Sequence, residues 1–182
     1  MLTQAAPPLP VVLVLASGRG ERFLASGGQV HKLRALLDGK PVLERTLDAV
    51  RASGLPWHLE DVGHPGMGDS IAAAVRATQD AAGWLVLPGD LPLIQPATLT
   101  AVAQALARHA VVVPVFGGQR GHPVGFSAAC RSALLGLKGN QGAAPVVRSF
   151  SATEIIVDDV GVVTDIDTVH DLQQAETLMT SR

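Results

Sequence analysis

Val11-Val12-Leu13-Val14-Leu15-Ala16-Ser17-Gly18-Arg19-Gly20-Glu21-Arg22 is the stretch from which the fold is read. Five consecutive apolar residues stop at Ala16 and give way to a loop with two glycines and two arginines. An apolar run of that length fits a strand buried on both faces, as in a parallel sheet. The loop then lies at the strand's carboxyl end, where open α/β sheets bind ligands. Gly18 and Gly20 let the backbone approach a ligand closely, and Arg19 and Arg22 add forked donors suited to phosphate oxygens. The last glycine of a dinucleotide fingerprint is missing, and so is the Gly-Lys-Ser/Thr ending of a P-loop. The loop reads as a phosphate-binding loop of another kind.

Moving outward, apolar strand-like runs recur at Trp57 to Val62, Trp84 to Leu87, Val111 to Phe116 and Thr153 to Val157. Helical patterns alternate with them. Val42 to Ala52 opens after Gly39-Lys40-Pro41, with Pro41 as its first position. Ile71 to Gln79, Pro96 to Arg108, a segment capped by Ser127 and running through Leu135, and Gln141 to Phe150 follow. Thr168 caps a last helix to about Met179, with Asp171 at the capping-box position. The alternation predicts an α/β fold, a single-domain Rossmann-like three-layer sandwich with a mostly parallel sheet. Residues 1–9 are expected to be a flexible lead-in and 10–182 the domain.

Composition narrows the function classes. Apolar residues make up 47% and charged residues 16% of the 182, which excludes wholesale disorder. A net charge of -2 gives no global attraction to nucleic acid, so anion binding must be local. No apolar run has the length of a membrane span. One cysteine, Cys130, excludes an internal disulfide framework, and a reducing cytoplasm is the simplest setting. The first ten residues carry no basic side chain and do not read as a signal peptide.

Four polar clusters fall at or just after predicted strands: the arginine loop, Asp90 in Pro88-Gly89-Asp90-Leu91-Pro92, Arg120-Gly121-His122, and Asp165-Ile166-Asp167. In a parallel sheet these ends share one rim. Arginines facing separated carboxylates suit a divalent metal held between protein and polyphosphate, because Mg²⁺ takes one or two carboxylates and completes its shell with phosphate oxygens. Phosphoryl or nucleotidyl transfer follows, a chemistry carried by positioning and charge neutralisation. Each residue also has a plainer role: the glycines as a tight turn, Lys32 as a surface lysine, Asp165 as a helix-dipole partner, His122 before Pro123 as a turn residue, Ser70 as a cap, Cys130 as core.

In order and number these segments resemble the MobA-like nucleotidyltransferases, and within them the molybdenum cofactor cytidylyltransferases. Leu15-Ala16-Ser17-Gly18-Arg19-Gly20-Glu21-Arg22 is similar to the family's Leu-Ala-Ala-Gly-x-x-x-Arg. Lys32 with Gly39-Lys40-Pro41-Val42-Leu43 resembles the signature lysine and Gly-x-Pro-Leu segment. Gly66-Met67-Gly68-Asp69-Ser70-Ile71, Gly89-Asp90-Leu91-Pro92, Gly121-His122-Pro123-Val124, Asn140-Gln141-Gly142-Ala143 and Asp165-Ile166-Asp167-Thr168 with Asp171-Leu172 continue the likeness. The chain departs from the pattern at Ser17, at Phe23-Leu24, in a longer path to Lys32, and in having one short strand where the family has a further helix and strand before Gly66.

The resemblance implies a nucleotide-diphospho-sugar-transferase type of fold, with CTP and the molybdopterin cofactor as substrates and Mg²⁺ as cofactor. Ala16, Ser17, Gly18, Arg19, Gly20 and Arg22 would hold the triphosphate. Lys32 would neutralise phosphate charge, so that Arg22, Lys32 and Asp90 form the catalytic set. Gly66, Met67, Gly68 and Ser70 would contact base or ribose, and Gly121, His122 and Pro123 the acceptor. Asp90 and Asp167 would bind the metal, with Asp165 in reserve. The implied recipient of the product is a molybdoenzyme of the xanthine dehydrogenase type. The alternatives are a GTP- or sugar-phosphate-directed member of the superfamily, a nicotine-blue-type oxidoreductase using a nicotinamide cofactor, and a non-catalytic nucleotide- or cofactor-binding module.

Overall fold

The computed structural model describes residues 8–181, so most of the expected lead-in lies outside the described residues. In chain order the elements are β1 (Val11–Leu15), α1 (Glu21–Ala25), β2 (Leu36–Leu37), β3 (Lys40–Pro41), α2 (Val42–Ala52), β4 (Trp57–Glu60), α3 (Met67–Ala77) and β5 (Gly83–Pro88). The second half adds α4 (Pro96–Ala105), β6 (Val111–Phe116), β7 (Gln119–Arg120), β8 (Val124–Ser127), α5 (Arg131–Leu135), α6 (Ala144–Ser149), β9 (Thr153–Ile156) and α7 (Val169–Thr180). No helix among the described residues is long and apolar enough to cross a membrane.

β1 lies in the interior of a seven-stranded sheet, pairing in parallel with β4 on one side and β5 on the other. Val12, Leu13 and Val14 are wholly buried. Side chains alternate across a strand, and the two faces meet different helices. Val12, Val14, Leu85, Leu87 and Val112 pack with Leu47, Val50, Leu99 and Val102 of α2 and α4. Leu13, Trp84, Val86, Val111 and Val113 pack with Ile71, Val75, Leu134 and Val146 of α3, α5 and α6. Each such aliphatic side chain contributes about 1.5–3 kcal/mol by leaving water. Helices on both faces make the three layers, and Cys130 sits in the second core as expected.

Three details differ from the sequence reading. Ser127 ends β8 and stands at the N-cap of a 3-10 turn, Ala128–Cys130, that runs into α5 and ends at Leu135 as expected, but its side chain makes no capping bond. β8 runs antiparallel between β5 and β6, so the parallel set β4, β1, β5, β6 and β9 is interrupted by one reversed strand. Pro41 is the residue before α2 rather than its first position. β7 and β8 both return along β6, with Val115 opposite Arg120 and Val112 opposite Gly125. The return path therefore carries extra residues between β7 and β8, and His122 and Pro123, joined by a cis bond, lie there.

The return to the rim after β9 depends on a buried carboxylate. Asp159 accepts hydrogen bonds from Gln95 N (2.9 Å), Thr98 Oγ1 (2.7 Å) and Gly161 N (2.9 Å), capping α4 from outside its own sequence. At 2% exposure, removing it would leave three donors without their acceptor. Asp159→Ala is expected to lower the unfolding free energy by about 3 kcal/mol, measured by chemical denaturation. A loss within experimental error would show that water replaces the carboxylate there.

Candidate active site

The ends of β1 and β5 are tied before any side chain is considered. Gly89 N donates to Leu15 O (2.9 Å), and Ala16 N donates to Glu60 O at the end of β4 (2.9 Å). Thr46 Oγ1 of α2 donates to Gly89 O (2.9 Å), fixing the turn that carries Asp90. Ile166 N then donates to Asp90 O (3.0 Å), laying the segment Asp165–Asp167 beside it. The α7 capping box holds that segment: Asp171 Oδ2 accepts from Asp167 N (3.1 Å) and Thr168 N (2.7 Å), and Thr168 Oγ1 accepts from Asp171 N.

Lys32 arrives between the two carboxylates. Its Nζ lies 2.6 Å from Asp90 Oδ2 and 2.8 Å from Asp167 Oδ1. Arg22 reaches the other oxygen of Asp167 at 2.9 Å. Burial pulls the Lys32 pKa down, but the Asp90 and Asp167 carboxylates outweigh it, and the ammonium is held above its ordinary 10.5. Burial pushes Asp167 up, and Lys32 and Arg22 outweigh that, leaving it below its ordinary 3.8. Asp165 goes the other way: burial, then the Asp90 and Asp167 charges, push it up.

The loop after β1 is latched to the turn that carries Lys32. Gly20 precedes α1 with φ +67°, a conformation glycine adopts without strain. A side chain there would also press on the His31 ring, 3.1 Å from a Cβ. His31 Nε2 lies 2.7 Å from Gly18 O, and His31 Nδ1 accepts from Leu33 N (3.3 Å). A carbonyl only accepts, so the ring carries its proton on Nε2. Across the cavity, Ser17 Oγ and Ser70 Oγ are 2.8 Å apart, joining the loop to α3.

These elements surround an open cavity of about 540 Å³. Its wall includes Ala16, Ser17, Gly18, Arg19, Gly20, Arg22, Lys32, Gly66, Met67, Ser70, Asp90 and Asp167. Gly68 is not in the wall: its Cα faces the Lys138 backbone, where a Cβ would come within 2.8 Å. Gly121, His122, Pro123 and Asp165 are outside the wall as well. Gly121 packs on the Val162 carbonyl, and Arg120 turns away to Glu154 (2.6 Å). His122 is half-buried near Asp90; desolvation pushes its pKa down against the pull of Asp90 and the Val86 carbonyl, so the ring is neutral.

Four residues at or around the cavity were not singled out from the sequence: His31, Glu60, His64 and, as an individual side chain, Asn140. Glu60 ends β4 at the same rim as Ala16, and that placement was the available signal.

Asp90 Oδ1 is buried and accepts no hydrogen bond. A place that already holds one cation, and that offers a free carboxylate oxygen, fits a hard divalent ion. Among the described residues no group of three or more His, Cys, Asp or Glu could hold a metal ion unaided. Further ligands would have to come from phosphate or water, as Mg²⁺ commonly requires.

The pKa shifts predict a pH signature. Lys32→Met should destabilise the protein by about 2–3 kcal/mol, less than a fully buried pair because the site opens to the cavity. The stabilisation from Asp167 is present above its unfolded pKa and is lost as pH falls through the depressed folded value. That from Lys32 is full below 10.5 and is lost as pH rises through the raised folded value. Denaturation at several pH values should show the largest wild-type advantage between about pH 5 and 9, shrinking on both sides. A pH-independent difference would contradict the ion-pair origin.

Known proteins share this fold. The family model described as "MobA-like NTP transferase domain" matches residues 48–155, more than half of the chain. Purine catabolism protein PucB of Bacillus subtilis is 29% identical over 164 residues, 81% of this chain and 80% of that protein. The solved structure of Rv0371c from Mycobacterium tuberculosis superposes with a TM-score of 0.79 at 23% identity, over 94% of this chain and 99% of that one, and that protein has also been solved in complex with manganese. Molybdopterin-guanine dinucleotide biosynthesis protein A from Archaeoglobus fulgidus gives a TM-score of 0.68 at 18% identity, over 94% and 100%. Several curated relatives are longer: the chain spans about a quarter of a bifunctional GlmU protein from Desulfitobacterium hafniense, 25% of its length. By fold and by family model, the chain belongs to the MobA-like NTP transferase domain family.

Proposed function

We propose that this protein transfers a cytidylyl group from CTP to the terminal phosphate of molybdopterin cofactor, releasing pyrophosphate. The observation that carries the nucleotidyltransferase reading is Lys32 bridging Asp90 and Asp167 within one cavity bounded by the Gly18–Arg22 loop. The choice of CTP is supported by the likeness of Gly66–Ile71 to the cytidylyl branch, and that of molybdopterin by the ordered likeness of Gly121–Val124 and Asp165–Leu172 to the wider family pattern. The lone cysteine supports a reducing, cytoplasmic setting.

In this reading Gly18, Arg19, Gly20 and Arg22 bind the triphosphate, and Lys32 offsets charge that builds on it. Gly66, Met67 and Ser70 line the base and ribose side. An oxygen of the acceptor phosphate attacks the α-phosphorus, the bond from that phosphorus to the bridging oxygen breaks, and pyrophosphate leaves. Asp90 and Asp167, with Asp165 behind them, would hold Mg²⁺, which would draw charge from the phosphate oxygens. The acceptor is assigned to the side of Gly121, His122 and Pro123. His122, kept neutral beside Asp90, adds no second positive charge there.

Pyrophosphate release should be fastest with CTP among the four nucleoside triphosphates, when Mg²⁺ and molybdopterin cofactor are supplied. Asp90→Ala should cut turnover by about 10³-fold, on the scale of removing a principal electrostatic group. A wild-type chain that releases no pyrophosphate with any nucleotide and acceptor, and gains no thermal stability from any nucleotide, would refute the assignment.

A further inference from the structure

The cavity has two chemically different ends. Arg22, Lys32, Asp90 and Asp167, joined by ion pairs, make one part of its wall ionic; Pro65, Gly66, Met67 and Asn140 make another part without charge, and His64 belongs to the same wall. On the nucleotidyltransferase reading above, on which this inference rests, phosphates occupy the first and the base occupies the second.

Behind the uncharged end lies a carboxylate that the wall itself does not contain. Glu60, the last residue of β4, is 6% exposed. It accepts from His64 Nε2 at 3.0 Å and lies 3.4 Å from His58 Nε2. Burial alone would push its pKa up, but His64 and His58 outweigh that and hold it below its ordinary value, so it is ionised. An ionised carboxylate has no proton to donate. His64 must therefore carry its proton on Nε2. The other ring nitrogen, Nδ1, lies on the edge turned from Glu60 and makes no hydrogen bond to the described residues.

A fixed acceptor distinguishes bases. Cytosine presents an amino donor at ring position 4, where uracil presents a carbonyl; a carbonyl facing a lone pair loses a hydrogen bond and gains repulsion. We propose that His64, held as the Nε2–H tautomer by Glu60, is the base-reading residue of this cavity and selects a nucleotide whose base bears an exocyclic amino group, CTP over UTP. The Asn140 side chain, whose Oδ1 lies beside Gly66, belongs to the same wall and offers an amide to the rest of the base edge.

The test is calorimetric titration of the full chain with CTP and with UTP, each with Mg²⁺. The wild type should prefer CTP by at least about tenfold, the size of one net hydrogen bond. His64→Phe keeps a flat ring but no acceptor, so the ratio should fall to near one while UTP affinity stays within about threefold. Glu60→Gln can donate to His64 Nε2 and move the proton to Nδ1; the ratio should fall or invert although His64 is intact, a result that loss of packing alone would not give. Nitrogen-15 shifts of the wild-type ring read the tautomer without any substitution, and a protonated Nδ1 overturns the proposal. A ratio indifferent to both substitutions overturns it too, with the nucleotidyltransferase reading left standing. A wild type that binds neither nucleotide overturns that reading and this one with it.

Discussion

One ammonium between two carboxylates is the contact on which the rim of this sheet depends. Asp90 follows β5 and Asp167 precedes α7, and the backbone bond from Ile166 to Asp90 brings their segments together whatever their charges do. Two like charges a few ångströms apart near a protein surface repel by roughly 4 kcal/mol. Lys32 turns that repulsion into two charge-assisted hydrogen bonds. It can do so because His31, next to it in the chain, grips Gly18 with one ring nitrogen and the Leu33 amide with the other. The Gly18–Arg22 loop, the lysine and the carboxylates are thus one connected structure, and the apolar cluster of Phe23, Leu33, Leu37, Val42, Leu93 and Ile166 packs against it.

The parts of the fold that were readable from the sequence are those whose cause is local. β1 announces itself by an unbroken apolar run, and α7 by Thr168 and Asp171 at capping-box spacing; both boundaries fall where the residues say. α2 shows its inner face through Leu47 and Val50. β8 was not readable because Val124-Gly125-Phe126-Ser127 has a glycine at its centre. Gly125 lies close against Val102 and Leu106 of the helix across the sheet, a demand set by a segment distant in sequence. Ser127, a common capping residue, marks the helical segment that follows it and not the strand that it ends.

The site divides along the same line. Glycines, arginines and the carboxylates after strands are signals that spacing exposes, and the structure gathers most of them around one cavity. Long-range pairings are not exposed by spacing. His31 with Gly18, and Asp69 accepting from Gly139 N at 2.9 Å, each join residues whose partnership appears only once the chain is folded. Gly66 and Gly68 show a second limit. A glycine motif suggests ligand contact, yet both of these also admit the backbone of residues 138–140, so packing is part of what the motif encodes.

The sheet ends only one strand beyond β1, and this has a bearing on self-association. Among the described residues β4 pairs with β1 alone, so its outer edge faces no neighbouring strand there. Such an edge is an invitation to strand addition by another molecule, and proteins blunt it with brevity, proline and charge. β4 is four residues long, follows Pro56 directly, and carries Trp57 under the Arg51 guanidinium, 5.7 Å from the ring centroid. The opposite edge uses the same means: β9 is also four residues, and its Glu154 is clasped by Arg120. Both margins of this mixed seven-stranded sheet thus carry short strands flanked by charged side chains.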